Sequence, residues 1–271
     1  MTATVTREDL REGIRALGLA DTTVCVHSSL RSFGHVDGGA DSVIDAFLDE
    51  GCTLMVPTFS APIFVLAPPP EMRLERNGID YGDAHESPGR DRIYSPEGNE
   101  ISPTMGAIPA AVLARPERLR GDNPLSSFAA IGPRADLVTE QRPLDAYAPL
   151  RILVARDGFV LLIGVGLERM TLLHLAEERS GRTLFRRWAN APDGLPMEVE
   201  VGSCSDGFGK LEPILGPLAR EREVGSSRWR ALPARATVEA ASEAIRERPE
   251  ITRCSRSDCR RCADAVAGGP R

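Results

Sequence analysis

The sequence predicts an α/β fold: a mostly parallel central sheet with helices on both faces, an α/β/α sandwich, carrying an irregular lid insertion. Three observations predict it. Residues 23–60 read in order as strand, polar loop, helix, strand and polar loop. Phe159-Val160-Leu161-Leu162-Ile163-Gly164-Val165 is a continuous apolar run, as expected of a strand buried on both faces at a sheet centre. Helical amphipathic spacing precedes the first strand and recurs over 237–248.

The first helix spans Thr6 to Gly18. Thr6 can cap it with Asp9 three residues on, Leu10, Ile14 and Leu17 share one face, and Gly18 supplies the stop. Val24, Cys25 and Val26 then form a short buried strand. His27 to Gly34 leaves it as a polar loop, and Gly38-Gly39 breaks the chain before a helix over 40–50 that carries Val43, Ile44, Phe47 and Leu48. Cys52–Val56 is the second strand, stopped by Pro57-Thr58. A strand–helix–strand unit of this length is a parallel crossover, so both polar loops leave the same carboxyl edge, where α/β sheets bind ligands. Backbone N–H groups, small hydroxyls and Arg31 beside a helix start suit a diphosphate there.

Residues 61–103 are the least regular, with clustered proline, glycine and charge, which marks either a solvated surface loop or a functional flap. As a flap, its carboxylates Glu75, Asp80, Asp83 and Glu86 are candidates to bind a cationic substrate. Thr104-Met105-Gly106 opens a helical segment, Ala107 to Ala114, in which Pro109 fits only near the first turn. Pro124 to Gly132 reads as a strand and Asp136–Gln141 as a short helix. After the apolar run ending at Val165, Glu168–Ser180 continues as a helix. Met197–Val201 alternates like a half-exposed strand, Leu211–Arg220 is a weak helix containing Pro213 and Pro217, and Thr237–Arg248 is a helix capped by Thr237. The expected organisation is one domain over 1–250, with 61–103 as its flap, and a cysteine-rich basic tail over 251–271.

The net charge of −6 argues against a nucleic-acid or anionic-membrane surface and is compatible with a small cationic partner. The N-terminus lacks a signal-peptide pattern, and the most apolar stretch, Leu54 to Pro70, is broken by prolines, so no spanning helix is expected. Six cysteines without a secretory signal point to reduced thiols and a cytoplasmic location. Oligomeric state is not legible; a homodimer is compatible with the sequence.

His174 is the sharpest chemical candidate. It lies on the helix that follows the central strand, with Glu177 three residues on and able to share its face. A carboxylate beside an imidazole favours the protonated ring and fixes which nitrogen faces outward. Acyl transfer from a thioester to an amine needs such a group, because an ammonium cannot attack until a base of near-neutral pKa takes its proton. The alternative is a packed helix histidine bonded to Glu177. His27, at a strand end, reads as a structural support; His35 and His85 read as solvated loop residues. Cys254, Cys259 and Cys262 form C-x4-C-x2-C, a spacing shared with iron–sulfur and zinc sites. No cysteine follows, so a fourth ligand would have to be Cys204, a histidine or another chain; the preferred reading is free thiols and no metal. Cys25 and Cys52 read as small core hydrophobes.

Four ordered blocks resemble the aminoglycoside 3-N-acetyltransferase family. They are Val26-His27-Ser28-Ser29-Leu30 with Gly38-Gly39-Ala40-Asp41 and Pro57-Thr58-Phe59-Ser60; Pro103 with Met105-Gly106-Ala107; Pro124 with Ser127 to Ala130 and Gly132; and Thr171-Leu172 with His174, Ala176 and Glu177. The resemblance implies an enzyme that uses acetyl-coenzyme A, unrelated in fold to the GNAT acetyltransferases. It implies His174 as catalytic base assisted by Glu177, direct transfer in a ternary complex, and an amino group of an aminoglycoside as acceptor. Ser28, Ser29, Leu30, Arg31 and Ser32 would grip the coenzyme A phosphates and pantetheine, while Thr104, Met105, Gly106, Ser126, Ser127 and Phe128 would line the pantetheine arm. The family often has histidine before the proline of the third block, where this chain has Asn123. Three other readings stay open: the same chemistry on a different small amine, a metal-binding interaction module built on the cysteine tail, and a cysteine hydrolase using Cys52 and His174. The last suits the sequence poorly, since Cys52 begins a buried strand. The transferase reading requires His174 and the Ser28–Ser32 loop to meet in one cleft.

Overall fold

The computed structural model describes residues 4–81 and 87–271. Thr6 and Asp9 bond reciprocally to each other's backbone N–H, a complete capping box that opens α1 (Arg7–Ala16). The chain turns at Gly18 with φ +66°, a conformation that glycine tolerates best, and enters β1 (Thr23–Ser28). Next come α2 (Gly39–Asp49) and β2 (Thr53–Pro57), and β2 pairs parallel to β1 with Val24 opposite Leu54. The remaining elements are α3 (Ala61–Phe64), α4 (Ala107–Ala114), β3 (Leu119–Arg120), β4 (Phe128–Ile131), α5 (Ala148–Ala155), β5 (Phe159–Ile163), α6 (Leu172–Arg179), β6 (Phe185–Asn190), β7 (Pro196–Val201), α7 (Glu212–Leu215), β8 (Arg220–Val224), β9 (Ser227–Pro233), α8 (Ala234–Glu247) and α9 (Arg260–Val266).

Seven strands form one sheet in the order β3-β4-β2-β1-β5-β9-β8. Parallel pairing is confined to the centre, β2-β1-β5; β4 and β3 on one side and β9 and β8 on the other run antiparallel. Alternation along each central strand divides its side chains between two cores. Val24, Val26, Leu54, Val56, Leu161 and Ile163 face α1, α2 and α4, where Ile14, Phe47 and Val112 pack. Cys25, Met55, Val160 and Leu162 face α5, α6 and α8, where Leu150, Leu175 and Ile245 pack. This three-layer arrangement is the predicted α/β/α sandwich.

Several boundaries differ from the sequence reading. Thr237 lies inside α8, with its Oγ1 donating to the Pro233 carbonyl at 2.8 Å, and the helix begins one turn earlier at Ala234. Pro213 and Pro217 break Leu211–Arg220 into single turns, and Arg220 belongs to β8. The segment after β5 starts as a 3-10 turn at Leu167–Arg169 and becomes α-helical only from Leu172. Of Pro124–Gly132 only Phe128–Ile131 is strand, because Asn123 Oδ1 accepts the N–H groups of Leu125 and Ser126 and curls the chain ahead of it.

Described parts of the irregular 61–103 segment lie on the β6–β7 hairpin. Leu66 bridges Trp188, Ile93 bridges Asn190, and Asn190 Nδ2 donates to the carbonyls of Gly89, Arg90 and Arg92. Residues 251–271 also pack onto the body. Arg76 and Arg271 exchange backbone hydrogen bonds, and the Gly78 N–H donates to Asp264 at 2.6 Å. Among the described residues, no helix is long and apolar enough to cross a membrane.

Candidate active site

The carboxyl ends of β1, β2 and β5 open into a cleft of about 1570 Å³, larger than a pocket for one drug-sized molecule. The loop after β1 forms one wall and is braced from several sides. The Ser29 N–H donates to the Ile163 carbonyl at 2.9 Å, and Ser32 Oγ donates to the Ser29 carbonyl at 2.7 Å. Ser32 Oγ also lies 2.6 Å from Ser227 Oγ, and Phe33 packs edge-on against Trp229 with ring centroids 5.9 Å apart. Gly164 permits this closeness: its φ is +62°, and a Cβ there would lie 2.2 Å from Ser32 Cβ.

Two helix starts border the cleft, α2 through Gly38-Gly39 and α4 through Gly106, and both present the positive end of a helix dipole. Arg31, Arg169, Arg228 and Arg230 add cationic side chains to the wall. Arg228 pairs with Glu221 at 2.7 Å, and Arg230 pairs with Glu212 at 2.5 Å. Among the described residues, the carboxylates on the wall are Asp37 and Glu168.

His174 enters the opposite wall from the first turn of α6 and is 7% exposed. Its ring is stacked on Tyr147 at 5.9 Å and tilted against Phe208 at 4.9 Å. Glu177, 2% exposed, lies behind it with Oε2 at 2.7 Å from His174 Nδ1. Ser203 Oγ donates to the same Oε2 at 2.7 Å, and Arg182 Nη1 donates to Oε1 at 2.6 Å. Burial alone would raise the Glu177 pKa, but His174, Ser203 and Arg182 outweigh it and hold the carboxyl below its ordinary value. An ionised Glu177 makes Nδ1 the donor, which leaves the Nε2 lone pair free. Gly202 gives that nitrogen room, since a Cβ there would lie 2.7 Å from Nε2 and 2.5 Å from Cδ2.

The cleft brings together Ser28, Ser29, Leu30, Arg31, Thr104, Met105, Gly106 and His174. Ser32 is a brace beneath the loop. Ser126, Ser127 and Phe128 do not line the cleft: Ser127 Oγ bonds the Thr58 carbonyl at 2.9 Å, and Phe128 supports Phe59 from below with ring centroids 5.8 Å apart. Glu75 and Asp80 are exposed and off the cleft wall, with Asp80 paired to Arg260 at 2.7 Å. Asp83 and Glu86 lie outside the described residues. Asn123 is spent on the turn, its Nδ2 reaching the Pro143 carbonyl at 3.1 Å. His27 lines the cleft floor, where burial pushes its pKa down to about 3 and keeps it neutral.

Sequence reasoning missed Arg228 and Arg230 on β9, Gly202 and Ser203 after β7, and the aromatic rests Tyr147 and Phe208. The alternation Arg228-Trp229-Arg230-Ala231 was a usable strand signal. Nothing local marked the others.

The profile of the family described as aminoglycoside 3-N-acetyltransferase matches residues 25–246. Aminoglycoside N(3)-acetyltransferase VII of Streptomyces paromomycinus is 37% identical over 183 residues, which is 64% of this chain and 60% of that protein. The matched region thus spans about three fifths of that curated relative's length. Among solved structures, the apoenzyme of aminoglycoside acetyltransferase AAC(3)-IVa superposes with a TM-score of 0.78 at 25% identity, covering 99% of both chains. Aminoglycoside acetyltransferase AAC(3)-Xa superposes with a TM-score of 0.72 at 28% identity, covering 90% of this chain and 94% of that one.

Proposed function

The chain belongs to the aminoglycoside 3-N-acetyltransferase family, and from that premise we propose that it transfers acetyl from acetyl-coenzyme A directly to an amino group of an aminoglycoside-like amine, with His174 as general base. The observation that carries this reading is the shared cleft: His174 and the Ser28–Arg31 loop line its opposite walls, and Glu177 fixes the histidine from behind.

In the reaction, His174 Nε2 takes a proton from the acceptor ammonium, and the freed amine attacks the thioester carbonyl carbon. The C–N bond forms, the C–S bond breaks, and the departing coenzyme A thiolate takes up the second proton that the acceptor nitrogen sheds on becoming an amide. Glu177, already ionised, stabilises the transient imidazolium without itself being protonated. The diphosphate of the cosubstrate is held by the braced Ser28–Arg31 loop, the two helix starts and the cationic wall. Asp37 and Glu168, the carboxylates on the described wall, are the groups available to the acceptor's other ammonium groups. With so few carboxylates on the described wall, a smaller amine than a polycationic antibiotic is the second reading, and a thiol-release screen of aminoglycosides against simple amines separates the two.

The test is His174→Ala, with turnover measured by thiol release and coenzyme A binding by calorimetry. Turnover is expected to fall by about 10²–10⁴-fold with binding retained. Unchanged turnover would remove His174 from the mechanism.

A further inference from the structure

Four cysteines that the acetyl-transfer chemistry does not use converge at one point. Cys204 follows β7, Cys254 follows the turn at Pro249–Thr252, Cys259 caps α9 and Cys262 lies in its first turn. Their sulfurs all lie within 4.8 Å of one another, and their exposures are 7%, 8%, 2% and 3%. The spacing alone left the fourth partner open; the fold brings Cys204 in from 50 residues upstream of Cys254. We propose that Cys204, Cys254, Cys259 and Cys262 hold one zinc(II) ion in a closed, structural four-thiolate site.

The donor chemistry selects the ion. Four sulfurs suit zinc and exclude calcium or magnesium, which take oxygen ligands. Zn–S bonds of about 2.3 Å in a tetrahedron put the sulfurs about 3.8 Å apart, within the spread observed. A cluster containing its own inorganic sulfides would need the thiolates held further from one another. All six cysteines of the chain are free thiols, so the four are not tied in pairs. The backbone contributes as well: the Cys254 N–H points at Cys262 Sγ at 3.3 Å. With four protein ligands and no open position, the ion would organise the chain rather than activate water.

What it organises is the back of the active site. Cys204 adjoins Ser203, which bonds Glu177, and Gly202, which packs on His174; Ser205 lines the cleft. From α9, Arg261 Nη2 donates to the Ser203 carbonyl at 2.6 Å. Fastening Cys204 to Cys254, Cys259 and Cys262 therefore fixes residues 202–205 against the His174–Glu177 pair. The metal site stands without the transferase reading; only this positioning effect rests on it.

The experiment measures metal, not turnover. The full chain, purified without chelator, should contain about one zinc per chain, and cobalt(II) exchange should give the intense thiolate charge-transfer and tetrahedral ligand-field bands of a four-sulfur site. Cys204→Ser should lower the zinc content about tenfold or more and lower the melting temperature, whereas Cys52→Ala should keep its zinc. If Cys204→Ser does not fold, the cobalt spectrum of the unaltered protein decides. Metal-free protein that takes up neither ion, stoichiometric iron, or disulfides among the four by mass spectrometry would each overturn the proposal, as would full zinc content in Cys204→Ser.

Discussion

Ser203 and His174 meet on a single atom: both lie 2.7 Å from Glu177 Oε2, while Arg182 takes Oε1. The carboxylate is thus saturated by partners from three parts of the chain, and the imidazole orientation depends on all of them.

Glu177→Gln keeps the shape but loses the acceptor pair that fixes Nδ1 as donor. Turnover is expected to drop about 10²-fold with little change in the apparent affinity for acetyl-coenzyme A. Steady-state kinetics with each substrate varied in turn checks this. An equal loss in both parameters would point to collapse of the cleft instead.

The same residue makes stability depend on pH in a defined direction. Its folded pKa is lowered from 4.5, so its contribution is fully present above the unfolded value and disappears as pH falls through the folded one. Urea midpoints of the parent protein and Glu177→Gln should therefore differ most near neutrality and converge in acid below that value. A gap that widened in acid would contradict the assigned direction.

Gly202→Ala drives a methyl to 2.5 Å from both His174 Cδ2 and the Tyr147 hydroxyl. Overpacking of this kind costs about 1–3 kcal/mol, and here the ring must yield. Turnover should fall at least about tenfold while coenzyme A binding holds. Activity unchanged in a folded variant would mean that the ring has more freedom than its packing implies.

Gly164→Ala forces a side chain into a positive-φ site that is already filled by Ser32. Loss of the brace should raise KM for acetyl-coenzyme A by about tenfold and lower the melting temperature. Ser32→Ala, which removes only the hydroxyl, should do less of both.

Arg31→Ala separates phosphate recognition from thioester recognition. Affinity for acetyl-coenzyme A should weaken by about tenfold, and its salt dependence should flatten, with acetyl-pantetheine turnover unchanged. Equal losses on both substrates would place Arg31 elsewhere in the mechanism.

The centre of this fold was legible because its signals are local. Val24–Val26 and Phe159–Ile163 are apolar on both faces, and Thr6 with Asp9 announces a helix start within four residues. The His174–Glu177 pair was legible for the same reason, its members lying one helical turn apart. The misses are long-range or featureless. Helix α5 is apolar nearly all round and offers no stripe to read; α9 is seven residues long and too short for a period. Ser203 carries no mark in its own neighbourhood, and Cys204 could be named only as one of several candidate partners for the tail cysteines; the role of each arises when residues far along the chain fold against it. The carboxylates of 61–103 could be counted but not aimed: Asp80 faces Arg260, not the cleft.

Strand β9 runs opposite to β5, pairing Ile163 with Trp229, so it begins at the ligand edge where its neighbour ends. Its own alternate side chains, Arg228 and Arg230, therefore reach the cleft directly from a rigid ladder, whereas the Ser28–Arg31 wall depends on a loop. Selection or design can exchange these two residues without altering any loop length. Under the proposed transferase function, the grip on the cosubstrate would then change by point substitution at these two positions alone.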